Sequence, residues 1–170
     1  EPDRTGLKKG LTNQYLCIRN EDIDAYTEHM DVMLMKNEKD VEDFTLYLLD
    51  KYKKAPKLII LLGNSSYALL KDRLNEKWGG ELSYLVCVEK DYLAPREYYL
   101  SKKACPEPER QNLSDIVETE RELTIIYVPE YIMETVSLMK QANPDMRRLL
   151  FLSDKRYISA QNQNSIHKAI

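Results

Sequence analysis

An α/β fold, with an open, mostly parallel sheet and helices on both faces, is the architecture this sequence predicts, and three observations predict it. Short apolar runs at 58–62, at 82–88 and within 121–128 have the length and near-continuous hydrophobicity of strands covered on both faces. The segments between them carry apolar residues at helical spacing. At 57–70 one such run passes through Gly63-Asn64-Ser65 straight into a helical stripe, which is the strand-to-helix corner of a right-handed crossover.

Taken in order, residues 3–19 read as a helix, with Leu7, Leu11, Gln14, Tyr15 and Ile18 at helical intervals. Asn20-Glu21-Asp22 is a turn, and Ile23, Ala25 and Thr27 then alternate with polar residues as in a strand ending at His29-Met30-Asp31. Asn37 is the expected N-cap of the next helix, with Glu38 and Asp40 in its first turn. Val41, Phe44, Leu48 and Tyr52 mark its buried face, and Pro56 stops it. The central run at 58–62 feeds a helix striped by Tyr67, Leu70, Leu74 and Trp78 and closed at Gly79-Gly80.

After the strand at 82–88, residues 94–114 contain Pro95, Pro106 and Pro108 and predict a loop excursion with a short helix around Tyr98. A strand within 121–128 leads, past Pro129, into a helix whose buried face is Ile132, Met133, Val136 and Met139. Asn143-Pro144 ends that helix, 148–152 reads as a last strand, and a polar helix runs on toward residue 170.

Composition narrows the function classes. The 170 residues are 43% hydrophobic and 31% charged, with a formal net charge of -3. That balance suits a soluble globular chain with one good core and offers no basic surface for nucleic acid. No run of about 18 apolar residues is present to span a bilayer. Cys17, Cys87 and Cys105 lack the spacing of a metal site and read as small buried residues, so no metal and no cofactor is expected. The glycine-rich signatures for dinucleotides and nucleoside triphosphates and the nucleophile elbow of hydrolases are all absent.

What the pattern does supply is polar residues at strand exits. In an open parallel sheet, ligands gather beyond the carboxyl ends of the strands, where loops and helix N-termini meet. Asn64 and Ser65 follow the 58–62 strand, and Glu89 and Asp91 follow the 82–88 strand. Asp31, Asp91 and Asp154 each follow an expected strand; they suit either a ligand rim or the capping of the next helix. His29 reads as a surface or structural histidine, with ligand contact as the alternative.

A resemblance adds to this. The stretches 52–60, Gly63-Asn64-Ser65-Ser66-Tyr67-Ala68-Leu69-Leu70 and Leu85-Val86-Cys87-Val88 resemble the first lobe of the type I periplasmic-binding-protein family. Residues 134–140, Asn143-Pro144-Asp145 and 149–154 are similar to that family's crossing helix and the first strand of its second lobe. The pattern looks most like the sensor domain of bacterial two-component histidine kinases, including the hybrid kinases. The resemblance implies a Rossmann-like or flavodoxin-like lobe at 1–145 that lacks its first strand, and at 146–170 a crossover and the start of a second lobe packed onto the first.

It further implies an extracytoplasmic, periplasmic ligand-sensing domain without catalytic activity of its own, which signals by lobe closure. Its partners would be a small polar, carbohydrate-like ligand and a second copy, in a membrane-anchored parent. Neither nucleic acid nor the membrane would touch this part of the chain. On matching positions the ligand-binding candidates are Asn64, Ser65, Glu89 and Asp91. A small flavodoxin-like or glycosyltransferase-like enzyme domain is the alternative, and a sheet serving mainly for dimerisation is a third.

Overall fold

The computed structural model describes residues 26–79, 82–120 and 122–169. By contacts the chain divides into two compact units, Glu1–Met30 and Asp31–Ile170. Of the first unit residues 26–30 are described, and they have no regular secondary structure; the helix expected at 3–19 and most of the strand expected at 23–27 lie outside the described residues.

The second unit is α/β: a three-stranded parallel sheet flanked by helices, the open arrangement of Rossmann-like and flavodoxin-like proteins. Helix α1 (Glu38–Lys51) starts at Asn37, whose side chain accepts from the Asp40 N–H while the Asp40 carboxylate accepts from the Asn37 N–H, a capping box. It buries Val41, Thr45 and Leu48. Strand β1 (Leu58–Leu62) turns at Gly63 into helix α2 (Asn64–Trp78). Strand β2 (Ser83–Val88) lies between β1 and strand β5 (Leu123–Tyr127), giving the order β1-β2-β5.

Between β2 and β5 the chain makes the excursion expected from its prolines. It holds strand β3 (Tyr92–Leu93), helix α3 (Arg96–Ser101), a 3-10 turn at Glu107–Glu109, strand β4 (Gln111–Asn112) and helix α4 (Leu113–Thr119). Strands β3 and β4 pair antiparallel as a small second sheet. Helix α4 is an element the proline-rich stretch conceals in the sequence; its buried residues, Leu113 and Ile116, are one helical turn apart. Helix α5 (Ile132–Ala142) follows β5, and helix α6 (Tyr157–Ala169) ends the described chain.

Strand alternation fixes which side is core. In β2, Tyr84, Val86 and Val88 are buried while Ser83, Leu85 and Cys87 are half-buried. The buried set joins Leu61 and Leu123 of the neighbouring strands, Tyr67 of α2, and Leu113 and Ile116 of α4, with Trp78 packed at the margin. On the opposite face the register aligns Leu58, Ile60 and Leu62 with Ser83, Leu85 and Cys87, and Leu85 and Cys87 with Thr124 and Ile126. There Leu62 is 72% exposed.

Two expectations are overturned. Residues 148–152 form no strand. The described sheet ends at β1 and β5, and instead of pairing with either edge this apolar segment lines a groove with residues of α5 and α6. It runs irregularly with Leu150 and Leu152 exposed. Helix α5 has no buried residue. Of its expected core face of Ile132, Met133, Val136 and Met139, all but Met133 instead line a shallow groove of about 390 Å³ with Leu149, Phe151 and Ile166.

Candidate functional site

The corner after β1 positions the site. Gly63 has φ +91° and ψ 149°, a conformation open to glycine almost alone. A Cβ there would lie 3.6 Å and 3.7 Å from the two carboxylate oxygens of Glu89. The loop after β1 and the loop after β2 therefore touch at the carboxyl edge of the sheet. The Gly63 N–H also donates to the Cys87 carbonyl at 2.7 Å, which carries the β1-β2 pairing to its end.

Asn64 binds the two loops together. Its Nδ2 donates to the carbonyls of Lys90 and Tyr92 at 3.0 and 2.9 Å, and its Oδ1 accepts from the N–H groups of Glu89 and Lys90 at 3.1 and 3.2 Å. All four bonds available to a carboxamide are used, and the residue is 3% exposed. Asn64 is thus the clamp that holds residues 89–92 in place, and its amide has no capacity left for a ligand. Of the other candidates, Ser65 and Glu89 are half-buried and Asp91 is exposed on the same border. The structure brings all four to one edge of the sheet.

The other polar residues singled out in the sequence serve local geometry. Asp31 accepts from the Met33 N–H at 3.1 Å, an Asx turn. Asp154 accepts from the Ser159 hydroxyl at 2.6 Å and from the Arg156 N–H at 2.9 Å at the start of α6, and the Ser159 bond is the first cause of its lowered carboxyl pKa. His29 is exposed. Cys87 and Cys105 are free thiols, and burial raises the Cys105 pKa. Among the described residues no group of three or more His, Cys, Asp or Glu is placed to hold a metal ion.

Three residues outside the four ligand-binding candidates complete the edge. Lys90, after β2, lies 3.3 Å from Glu130, after β5. Asn162 of α6 reaches both: its Oδ1 accepts from Lys90 Nζ at 2.8 Å, and its Nδ2 donates to Glu130 Oε2 at 2.6 Å. The residues lie 72 and 32 positions apart in sequence, so only folding shows their proximity.

A separate cleft of about 340 Å³ opens beside α2 and α4, over Tyr67, Leu93 and Ile116, and none of its lining residues is a candidate from the sequence. Its charged groups are already engaged. Lys71 pairs with Glu120 at 2.6 Å, and Arg96 donates to the carbonyls of Ala68 and Leu69 and to Glu38. The carboxyl edge is the stronger candidate, because there the groups from several loops converge around fixed backbone. No family model, no curated protein and no solved structure matches this chain.

Proposed function

We propose that this chain is the ligand-sensing part of a two-component sensor histidine kinase of bacteria, on the periplasmic side of a membrane-anchored, dimeric parent. It takes a small polar ligand of carbohydrate type at the carboxyl edge of its sheet and transmits occupancy by closure against a second lobe. The observation that carries this reading is the border itself: the Asn64 clamp holds the loop of Glu89, Lys90 and Asp91 beside Ser65. A rigid row of donors and acceptors at the ends of parallel strands is suited to gripping hydroxyl groups. Signalling then requires that the ligand bind the closed arrangement better than the open one, since equal affinity shifts no population.

Thermal shift with simple sugars and small polar metabolites tests it. A ligand at a hundred times its Kd is expected to stabilise the chain by about 2.7 kcal/mol. Glu89→Gln and Asp91→Asn are expected to reduce that shift while leaving the unliganded melting temperature near that of the parent chain. Indifference to every sugar and polar metabolite would retire the reading.

A further inference from the structure

Helix α6 buries polar side chains beside its apolar ones, Tyr157 and Ile166, more polar burial than a packing helix ordinarily carries. Ser159, Gln161 and Asn162 are 8%, 2% and 6% exposed. The Asn162 carboxamide bridges the Lys90 ammonium and the Glu130 carboxylate, as described above. Gln161 Oε1 accepts from the Cys105 N–H at 3.1 Å. Tyr157 is buried beside Tyr92, and the ring centroids of Tyr157 and Tyr99 lie 4.5 Å apart. Polar contacts thus hold the middle of this helix, between Tyr157 and Ile166, and the segment leading into it, 143–156, has no helix or strand to fix it.

The bridge has a definite chemical pattern. A carboxamide offers one acceptor and one donor on adjacent atoms, and here the acceptor takes a proton from an ammonium while the donor gives one to a carboxylate. Two neighbouring hydroxyls present the same pair: one oxygen accepts from Lys90, and the other hydroxyl donates to Glu130. Lys90 and Glu130 follow the carboxyl ends of β2 and β5, on the border that carries Ser65, Glu89 and Asp91.

We propose that Lys90 and Glu130 form a subsite that reads a vicinal diol of a neutral, polyhydroxylated ligand, and that α6 covers this subsite with Asn162 as an internal stand-in for the ligand. The inference rests on the ligand-sensing reading and names its ligand class and two of its binding groups. Because α6 fills the subsite, the apparent affinity of the ligand is reduced by the fraction of molecules in which α6 is detached. Weakening the Asn162 bridge raises that fraction; removing Lys90 or Glu130 destroys the subsite itself.

The test compares the unaltered chain with Asn162→Leu, Lys90→Met and Glu130→Gln, each checked for fold by circular dichroism. Hydrogen exchange is read over 157–169, and calorimetric titrations use myo-inositol, D-glucose and D-arabinose, with glycine betaine as a polar solute lacking hydroxyls. Asn162→Leu and Lys90→Met are both expected to speed exchange in 157–169 by about tenfold, as loss of a charge-assisted hydrogen bond implies. Asn162→Leu is expected to bind at least one polyol about tenfold more tightly than the unaltered chain. Lys90→Met and Glu130→Gln are expected to bind none of them, and betaine is expected to bind to no form.

Unchanged exchange in Asn162→Leu would overturn the cover. A polyol that binds Lys90→Met as well as the unaltered chain would overturn the subsite and leave the sensing function standing. With α6 released, failure of every polyol to bind Asn162→Leu would also overturn the subsite. Failure of those polyols and of all other small polar metabolites to bind any form would take the sensing function with it.

Discussion

Asn64 shows how one side chain can look like a ligand group and act as a structural one. Its position after a strand is visible in the sequence, but its two donors and two acceptors are all consumed by residues 89–92. Asn64→Ala is expected to cost about 2–4 kcal/mol in urea denaturation, because it strips partners from several partly buried backbone groups at once. Asn64→Asp should also destabilise, since a carboxylate cannot donate to the carbonyls of Lys90 and Tyr92. If either variant kept full stability, the clamp would be disproved. Gly63→Ala is expected to cost about 1–3 kcal/mol through backbone strain at φ +91°, the space around a Cβ being adequate.

Between elements, the described ion pairs of α1 gather on Glu38 and Glu42, and Glu38, in its first turn, joins α1 to both α2 and α3. Its carboxylate accepts from Arg96 at the start of α3 at 2.8 and 3.0 Å, and from Arg73 of α2 at 2.8 Å. The Arg96 hydrogen bond is the main cause that holds its pKa at about 2, against an ordinary 4.5. A depressed carboxyl contributes stability at pH above about 4.5 and loses it as pH falls toward 2. Acid denaturation of Glu38→Gln should therefore show a shallower fall across that window than the unaltered chain. The side chain is 50% exposed, so solvent screening limits the effect to about 1 kcal/mol or less. Asn37→Ala is expected to cost about 1 kcal/mol by removing the capping box of the same helix, read as a lower melting temperature. Leu138→Lys on α5, at a position 64% exposed, should change stability by less than about 0.5 kcal/mol.

At the scale of the whole unit Asp31–Ile170, the described core cluster lies on one side of the sheet, and the other side presents Leu58, Leu62 and Ile126 at 50%, 72% and 45% exposure. Parallel strands are ordinarily covered on both faces, so this surface favours self-association at high concentration. Light scattering is expected to show an apparent mass rising with concentration, and Leu62→Lys is expected to lower it without a matching loss of stability. A mass that stayed constant over the whole range would contradict that expectation.

Periodicity made strands β1, β2 and β5 and helices α1, α2, α5 and α6 legible before any coordinates, because burial of an apolar stripe is a local property of the chain. The placing of Asn64, Ser65, Glu89 and Asp91 at strand exits was legible for the same reason. What the local pattern could not encode is pairing at long range: whether the 148–152 run finds a ladder, whether the apolar side of α5 finds a partner, and whether Asn64 spends its amide on its neighbours. Nothing in the sequence ties Lys90, Glu130 and Asn162 to one another, and they meet only when β2, β5 and α6 converge. The chain alone determined its main strands and helices and the border where its polar residues gather; folding decided which of those residues are satisfied by one another, since hydrogen-bond capacity is exhausted in space and not along the sequence.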